Sequence, residues 1–317
     1  MVPHSTARAG AGVARRPSRR TGHPLTLSRR NRLVGYGMVT PAVVALLFVT
    51  AFPLVYNLWN STRNVNLLDP ANVGRWVGLA NYRSILTDAA FLPSLIRTLG
   101  FTAVSIVLEL AIGLVVALVL NRPFAGRGLV RAAIFIPWAV PTVVSATIWK
   151  TMFDPQSGFV DYLLGRLHLP GAATVWPAGT WTAWTAILVA DGWKNVPFVT
   201  ILLLAGLQVI PRDVYEAARV DGTTAWQAFR WITLPLLRPA LMVTLVFRTL
   251  QAFLIFDVVY IMTAGGPGNS TQTVSFLDWQ AFMVDSNFGY GGAVSVVMVV
   301  IALLIAAVYA RTLRPET

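Results

Sequence analysis

The sequence predicts an all-α fold, a polytopic membrane helix bundle with six transmembrane helices, on three observations. Of 317 residues, 56% are hydrophobic and only 12% charged, with a mean hydropathy of +0.63; this is more apolar surface than one soluble core needs. The apolar residues gather in runs of about 20, the helical length that crosses a hydrocarbon core about 30 Å thick. Arginines concentrate in alternate connectors, the asymmetry that orients membrane helices.

Residues 1–32 come first. They carry Arg8, Arg15, Arg16, Arg19, Arg20, Arg29, Arg30 and Arg32 among Gly, Ser and Pro, a composition too polar to pack and expected to be a disordered cytoplasmic tail. Attraction to anionic lipid, about 1 kcal/mol per charge, holds such a tail at the inner leaflet. A cleaved signal peptide fits less well, because the apolar run is longer than a usual h-region and no small-x-small site follows it.

A six-span domain is expected over 33–311, with spans near 35–58, 98–120, 132–151, 181–206, 241–262 and 290–310. Pro41, Pro53, Pro137, Pro141 and Pro197 lie in or at the ends of these runs; membrane helices tolerate them where neighbours satisfy the freed carbonyls, so kinks are expected. Residues 312–317 form a short C-terminal tail. Arg122, Arg127 and Arg131 make the second connector basic, and Arg212, Arg219, Arg230 and Arg238 the fourth, like the two tails. Both termini and the fourth connector are therefore placed in the cytoplasm. The opposite loops hold Trp59, Trp76, Tyr82, Trp176 and Trp279, read as interfacial aromatics.

Several function classes drop out. The net charge of +12 sits largely in the tail, which points to a lipid surface and not to nucleic acid. With no Cys and only His4, His23 and His168, there is no thiolate chemistry and no ligand cluster for a metal. Lys150 and Lys194 both follow Trp, so the chain lacks the Gly-Lys-Ser/Thr cradle for ATP phosphates. No cofactor is expected on this chain.

The fourth connector, 207–240, is the most informative stretch. Glu216-Ala217-Ala218 is followed after three residues by Gly222, and after nine more by Ile232-Thr233-Leu234-Pro235. Pro211 suits a first helical turn, and Asp213 and Glu216 put negative charge near that helix's positive end. Asp221-Gly222 stops the helix and turns the chain. Thr223 or Thr224 caps a second helix with Ala225, Ala228, Phe229 and Ile232 on one face; Pro235 and Pro239 end or kink it. The product is helix, glycine turn, helix. A DNA-reading helix-turn-helix competes, but the flanking spans leave too little chain for an independent core.

This spacing resembles the cytoplasmic coupling loop of permeases of binding-protein-dependent ABC importers, and the resemblance extends over most of 35–310. It is nearest to carbohydrate importers of the maltose, glycerol-phosphate and trehalose type. Ala132–Trp138, Trp193–Phe198 and Phe247–Phe253 running on to Gly265-Gly266-Pro267-Gly268 support it. The resemblance implies a type I importer permease fold in a bacterial plasma membrane. It implies as partners a second homologous permease subunit, two ATPase subunits that bind ATP and Mg, and an extracytoplasmic sugar-binding protein. Sugar then crosses by alternating access driven from outside this chain, which is itself no enzyme. On the loop, Glu216 either pairs with a basic residue of the ATPase or holds its own helix start. Ala217 and Ala218 allow close approach, Gly222 permits the turn, Ile232 and Leu234 pack the second helix, and Pro235 sets its exit.

Ionisable groups inside spans face the bundle interior. Glu109, Asp191, Lys194 and Asp257 are read as structural membrane charges, with Asp191 and Lys194, three apart, neutralising each other. Arg248 and Asp257 are nine apart and do not meet; Arg248 is left to Glu109, to a carboxylate of a partner subunit or to sugar hydroxyls. Asn195, Arg248 and Gln251 supply hydrogen-bonding groups for a substrate path, and Trp193, Phe198, Phe253 and Tyr260 flat apolar faces. The alternative is a secondary transporter or channel for a small polar solute, which needs no docking loop and often shows inverted repeats. A membrane enzyme would need a reactive cluster that the spans lack.

Overall fold

A computed structural model describes residues 24–171 and 174–312. Residues 1–23, most of the expected disordered tail, and 313–317 lie outside the described residues. The chain divides into two units, Met1–Val55 and Tyr56–Thr317. Within the first, helix α1 (Pro24–Ser61) begins, so Arg29, Arg30 and Arg32 stand on a helix and not in an irregular tail. Pro24 explains the start: at a first helical position its missing N–H has no partner to lose.

The second unit is almost wholly helical. After α1 come a short antiparallel pair, β1 (Arg63–Asn64) with β2 (Arg75–Trp76), and α2 (Ala80–Thr87). Next are α3 (Phe91–Asn121), α4 (Arg127–Ala139), α5 (Thr142–Met152), α6 (Phe159–Arg166) and α7 (Thr180–Val209). Then follow α8 (Arg212–Val220), α9 (Ala225–Ala228), a π-turn over Phe229–Thr233, α10 (Leu234–Phe253), α11 (Asp257–Met262), α12 (Val274–Met283) and α13 (Phe288–Thr312).

Five helices among the described residues are long and apolar enough to cross a membrane, and the bent pair α4–α5 makes a sixth. Two expected spans are corrected. The one at 132–151 is broken, α4 and α5 meeting at 95°. Pro141 forces its predecessor out of helical geometry, and Val140 is extended at φ −71°, ψ 132°. The span expected at 241–262 instead runs from Ala225 to Phe253. Pro235 and Pro239 do not end it: the π-turn widens the register just ahead, with the Leu234 N–H donating to the Phe229 carbonyl. The helix stops instead at Leu254, where no proline or glycine marks a break. There Phe253 and Ile255 enter two different hydrophobic clusters, and the Thr273 hydroxyl donates to the freed Ile255 carbonyl at 3.2 Å.

Helices α3 and α7 form the spine of the bundle, and their close approach is built on a small residue. A Cβ on Gly113 would lie 2.5 Å from Val199 Cγ1; small residues at such crossings let backbones pack where lipid offers no hydrophobic drive. Around that contact Ala117, Leu120, Val199, Leu203, Leu207 and Leu237 form one buried cluster. Packing of α10 onto the same pair brings Arg248 beside Glu109 and Asp191.

Candidate functional site

Arg248 is 2% exposed and Glu109 1%, so water solvates neither charge. Arg248 Nε donates to Glu109 Oε2 at 2.5 Å and Nη2 to Glu109 Oε1 at 2.8 Å, a bidentate fork. Nη2 also donates to Asp191 Oδ2 at 3.2 Å, and Nη1 to Gln251 Oε1 at 2.9 Å. The Ser105 hydroxyl lies within hydrogen-bond distance of both carboxylates, 2.9 Å from Glu109 and 3.1 Å from Asp191. Two carboxylates and one guanidinium thus tie α3, α7 and α10 together. Planar, paired acceptors are what the arginine fork matches best.

The expected Asp191–Lys194 pair is not formed. Asp191 turns to Arg248, while Lys194 Nζ donates to the carbonyls of Val140 at 2.5 Å and Trp138 at 3.5 Å. These carbonyls end α4, where the break removes their helical partners, and a cation there also complements the helix dipole. The bend competes with Asp191 for the lysine, a demand that residue spacing does not disclose.

Beside the hub opens a cleft of about 270 Å³, lined in part by Trp138, Lys194, Asn195, Gln251, Phe256 and Asp257. Its polar atoms are divided in kind. Gln251 spends its carbonyl on Arg248, leaving its amide N–H groups. Asn195 spends its amide on Asp191, at 2.8 Å to Oδ1 and 3.0 Å to the backbone oxygen, leaving its carbonyl. The Asp257 carboxylate has no hydrogen-bond partner among the described residues. The Trp138 ring, stacked on Phe198 with centroids 6.1 Å apart, and Phe256 add flat faces.

Of the residues proposed for a substrate path, Asn195, Arg248 and Gln251 come together here, joined by Asp257, Asp191 and Lys194 from the structural set. Four aromatics do not line the cleft; Phe198 stands behind Trp138. Phe253 is buried among Val274, Leu277 and Val294. Trp193 packs edge-on against Trp149 at 6.0 Å. Tyr260 packs on Phe256 and Trp279, outside the cleft. Trp138 and Phe256 take their place. Trp138 was reachable through its neighbour Pro137, whereas Phe256 has no signal in sequence because the break after α10 is unmarked.

The connector forms the expected helix, turn, helix. Gly222 sits at φ +73°, and the N–H groups of Asp221, Gly222 and Thr223 return to the carbonyls of Ala217, Arg219 and Ala218 at 3.0 to 3.1 Å. Thr224, of the two threonines, caps α9: its N–H donates to Gln227 Oε1 at 2.8 Å and its hydroxyl accepts from the Gln227 N–H at 3.4 Å. Tyr215 and Thr233 link the two arms through their hydroxyls, 3.0 Å apart. Ala218 is buried, Ile232, Leu234 and Pro235 are half-buried, and Glu216 and Ala217 are exposed. Glu216 has no partner among the described residues. Pro235 does not set an exit, since α10 runs through it. Trp226 and Trp231, both exposed, were not singled out from sequence.

Residues 109–314 match the family described as binding-protein-dependent transport system inner membrane component. The chain belongs to this family. The permease is 39% identical over 289 residues to the trehalose/maltose transport system permease protein MalF of Thermococcus litoralis, covering 91% of this chain and 96% of that one. It is 38% identical over 280 residues to the trehalose transport system permease protein SugA of Mycobacterium tuberculosis, with 88% of each covered. Its fold matches a chain of a bacterial alginate ABC transporter, solved in complex with an alginate pentasaccharide-bound periplasmic protein, at TM-score 0.78 and 20% identity over 92% of this chain and 98% of that chain. The protein is therefore a multi-pass inner-membrane permease subunit of an ABC importer, a transport component and not an enzyme. That membership sets aside the secondary transporter and the channel.

Proposed function

We propose that the cargo of this permease is a sugar, that it passes the cleft of Trp138, Asn195, Gln251, Phe256 and Asp257, and that separate ATPase subunits drive it through the loop around Gly222. The cleft carries this reading. A sugar hydroxyl both donates and accepts, and the cleft offers leftover donors on Gln251 beside leftover acceptors on Asn195 and Asp257, with two aromatic faces for ring C–H surfaces. The sugar transport systems named for the relatives favour the same cargo.

Glu216 is exposed with no partner of its own among the described residues, which favours the role of anchor to a basic residue of an ATPase over that of holding its own helix. Both termini and the loop face the cytoplasm in this scheme. A second, homologous permease completes the translocation path, an extracytoplasmic binding protein delivers the sugar, and ATP and Mg bind only on the two ATPase subunits.

Two variants separate path from drive. Gln251→Ala is expected to cut sugar uptake by up to roughly tenfold, the worth of one good hydrogen bond, while ATPase subunits still co-purify. Gly222→Pro is expected to abolish uptake together with ATPase co-purification, the permease still inserting. Full uptake by the first variant rules out the cleft; normal ATPase recovery with the second rules out the loop.

A further inference from the structure

The cytoplasmic end of the bundle, in the orientation proposed above, holds a second concavity, apart from the cleft beside the hub. It is a groove of about 760 Å³ where the ends of α3 and α7 meet α8 and α9. Its apolar wall includes Leu114, Val115 and Leu118 of α3, and exposed Trp226 stands at its edge. Arg122 and Arg219 line the same groove, and no Asp or Glu does. Both arginines are exposed, and neither has an acceptor among the described residues.

The order of these residues along the membrane normal is informative. Arg122 closes α3 immediately after its apolar run, which places it at the depth of lipid headgroups. Leu114 lies eight residues earlier, about 12 Å deeper along the helix, within the acyl region. One groove therefore joins Arg122 at the interface and Arg219 on α8, neither with an acceptor among the described residues, to an apolar wall that descends into the hydrocarbon. Tryptophan at its mouth suits the interfacial zone. A ligand complementary to this arrangement has a phosphate head and a hydrocarbon chain.

We propose that the groove binds an anionic phospholipid of the cytoplasmic leaflet, its phosphate between Arg122 and Arg219 and one acyl chain along Leu114, Val115 and Leu118. Net negative lipid is selected because a zwitterionic headgroup carries its own cation, which the two arginines repel and no carboxylate of the groove receives. The site places a lipid against α8, the first arm of the loop proposed to receive the ATPase, so lipid occupancy braces that arm from the membrane side.

The test uses the assembled importer, purified from membranes and exchanged into nanodiscs with equal phosphatidylglycerol and phosphatidylcholine, with retained lipid counted by native mass spectrometry. Wild type is expected to retain phosphatidylglycerol preferentially, and Arg122→Gln with Arg219→Gln to lose roughly fivefold of that preference per arginine removed. Leu118→Trp, which fills the groove without touching charge, is expected to lose the same lipid. Equal retention of both lipids by wild type, or an undiminished preference in either variant, overturns the site. So does a groove whose lipid is bound by the isolated permease but excluded in the importer, since it then belongs to a partner subunit. ATPase recovery in the same preparations keeps the two readings apart: an importer that recruits its ATPase but shows no lipid preference loses the lipid site alone.

Discussion

The hub at Arg248 and the loop at Gly222 are held together by opposite means. In the loop, the bonds that make the turn and the cap close over three to five residues, from Thr224 to Gln227 and from Thr223 back to Ala218. In the hub, Arg248 reaches Glu109 across 139 residues and Asp191 across 57. The loop is a local structure, and in the function proposed above it is what an ATPase subunit receives. By contrast, the hub exists only once three helices have packed, and each of its charges is tolerable only because the other two are present. Loss of one loop contact should therefore be graded and local, whereas loss of one hub charge should be abrupt and global.

The sharpest test of that contrast is Arg248→Met, which leaves two carboxylates facing each other out of water. A destabilisation of about 3–5 kcal/mol is expected, seen as early thermal unfolding of purified permease, with Glu109→Gln and Asp191→Asn added to the variant recovering most of it. If the single variant is as stable as wild type, the hub is no cooperative unit. Next in size is Gly113→Leu. Its Cβ would press on Val199 and part α3 from α7, and overpacking of this kind costs about 1–3 kcal/mol. The same thermal assay reads it, and Gly113→Ala should do less harm.

The loop variants should be milder in stability and stronger in coupling. Nothing lies within 4 Å of a Cβ built on Gly222, so only its left-handed backbone restricts substitution. Gly222→Val is expected to cost about 1–2 kcal/mol and Gly222→Asn far less, because asparagine visits that region readily. ATPase co-purification should follow the same order; equal loss in both variants would mean that the side chain obstructs docking. Thr224→Ala is the smallest, about 1 kcal/mol from a lost cap. It should appear as faster hydrogen exchange at the Trp226 and Gln227 amides with α3, α7 and α10 unchanged.

Legibility from sequence follows the same division. Pro211, Gly222 and the threonines before Ala225 disclosed the helix, turn, helix, because caps and left-handed turns are decided by neighbours in the chain. Span existence was likewise legible, since about 20 apolar residues suffice for a crossing whatever the rest of the fold does. Boundaries were less so. Pro141 was visible, yet whether it kinks or breaks its helix depended on Lys194 being at hand to satisfy the Trp138 and Val140 carbonyls. Pro235 suggested an end, and the π-turn carried the helix through it.

The cleft was partly legible. Asn195, Arg248 and Gln251 stood out as polar groups that only an enclosed site tolerates in an apolar run, but hydropathy says nothing about which aromatic faces them. Phe253 and Phe256 look alike in sequence. A break between them, made by the competing demands of two hydrophobic clusters, buries the first and gives the second to the cleft.

Composition and short-range order, then, were enough to establish a membrane bundle and the helix, turn, helix around Gly222. Tertiary packing alone decided that Asp191 serves Arg248, that Lys194 caps a broken helix and that Trp138 and Phe256 wall the cleft. The physical reason is range. Hydrophobic length, caps and turns are settled within a few residues, while a buried charge takes its partner from whichever helix comes to lie beside it.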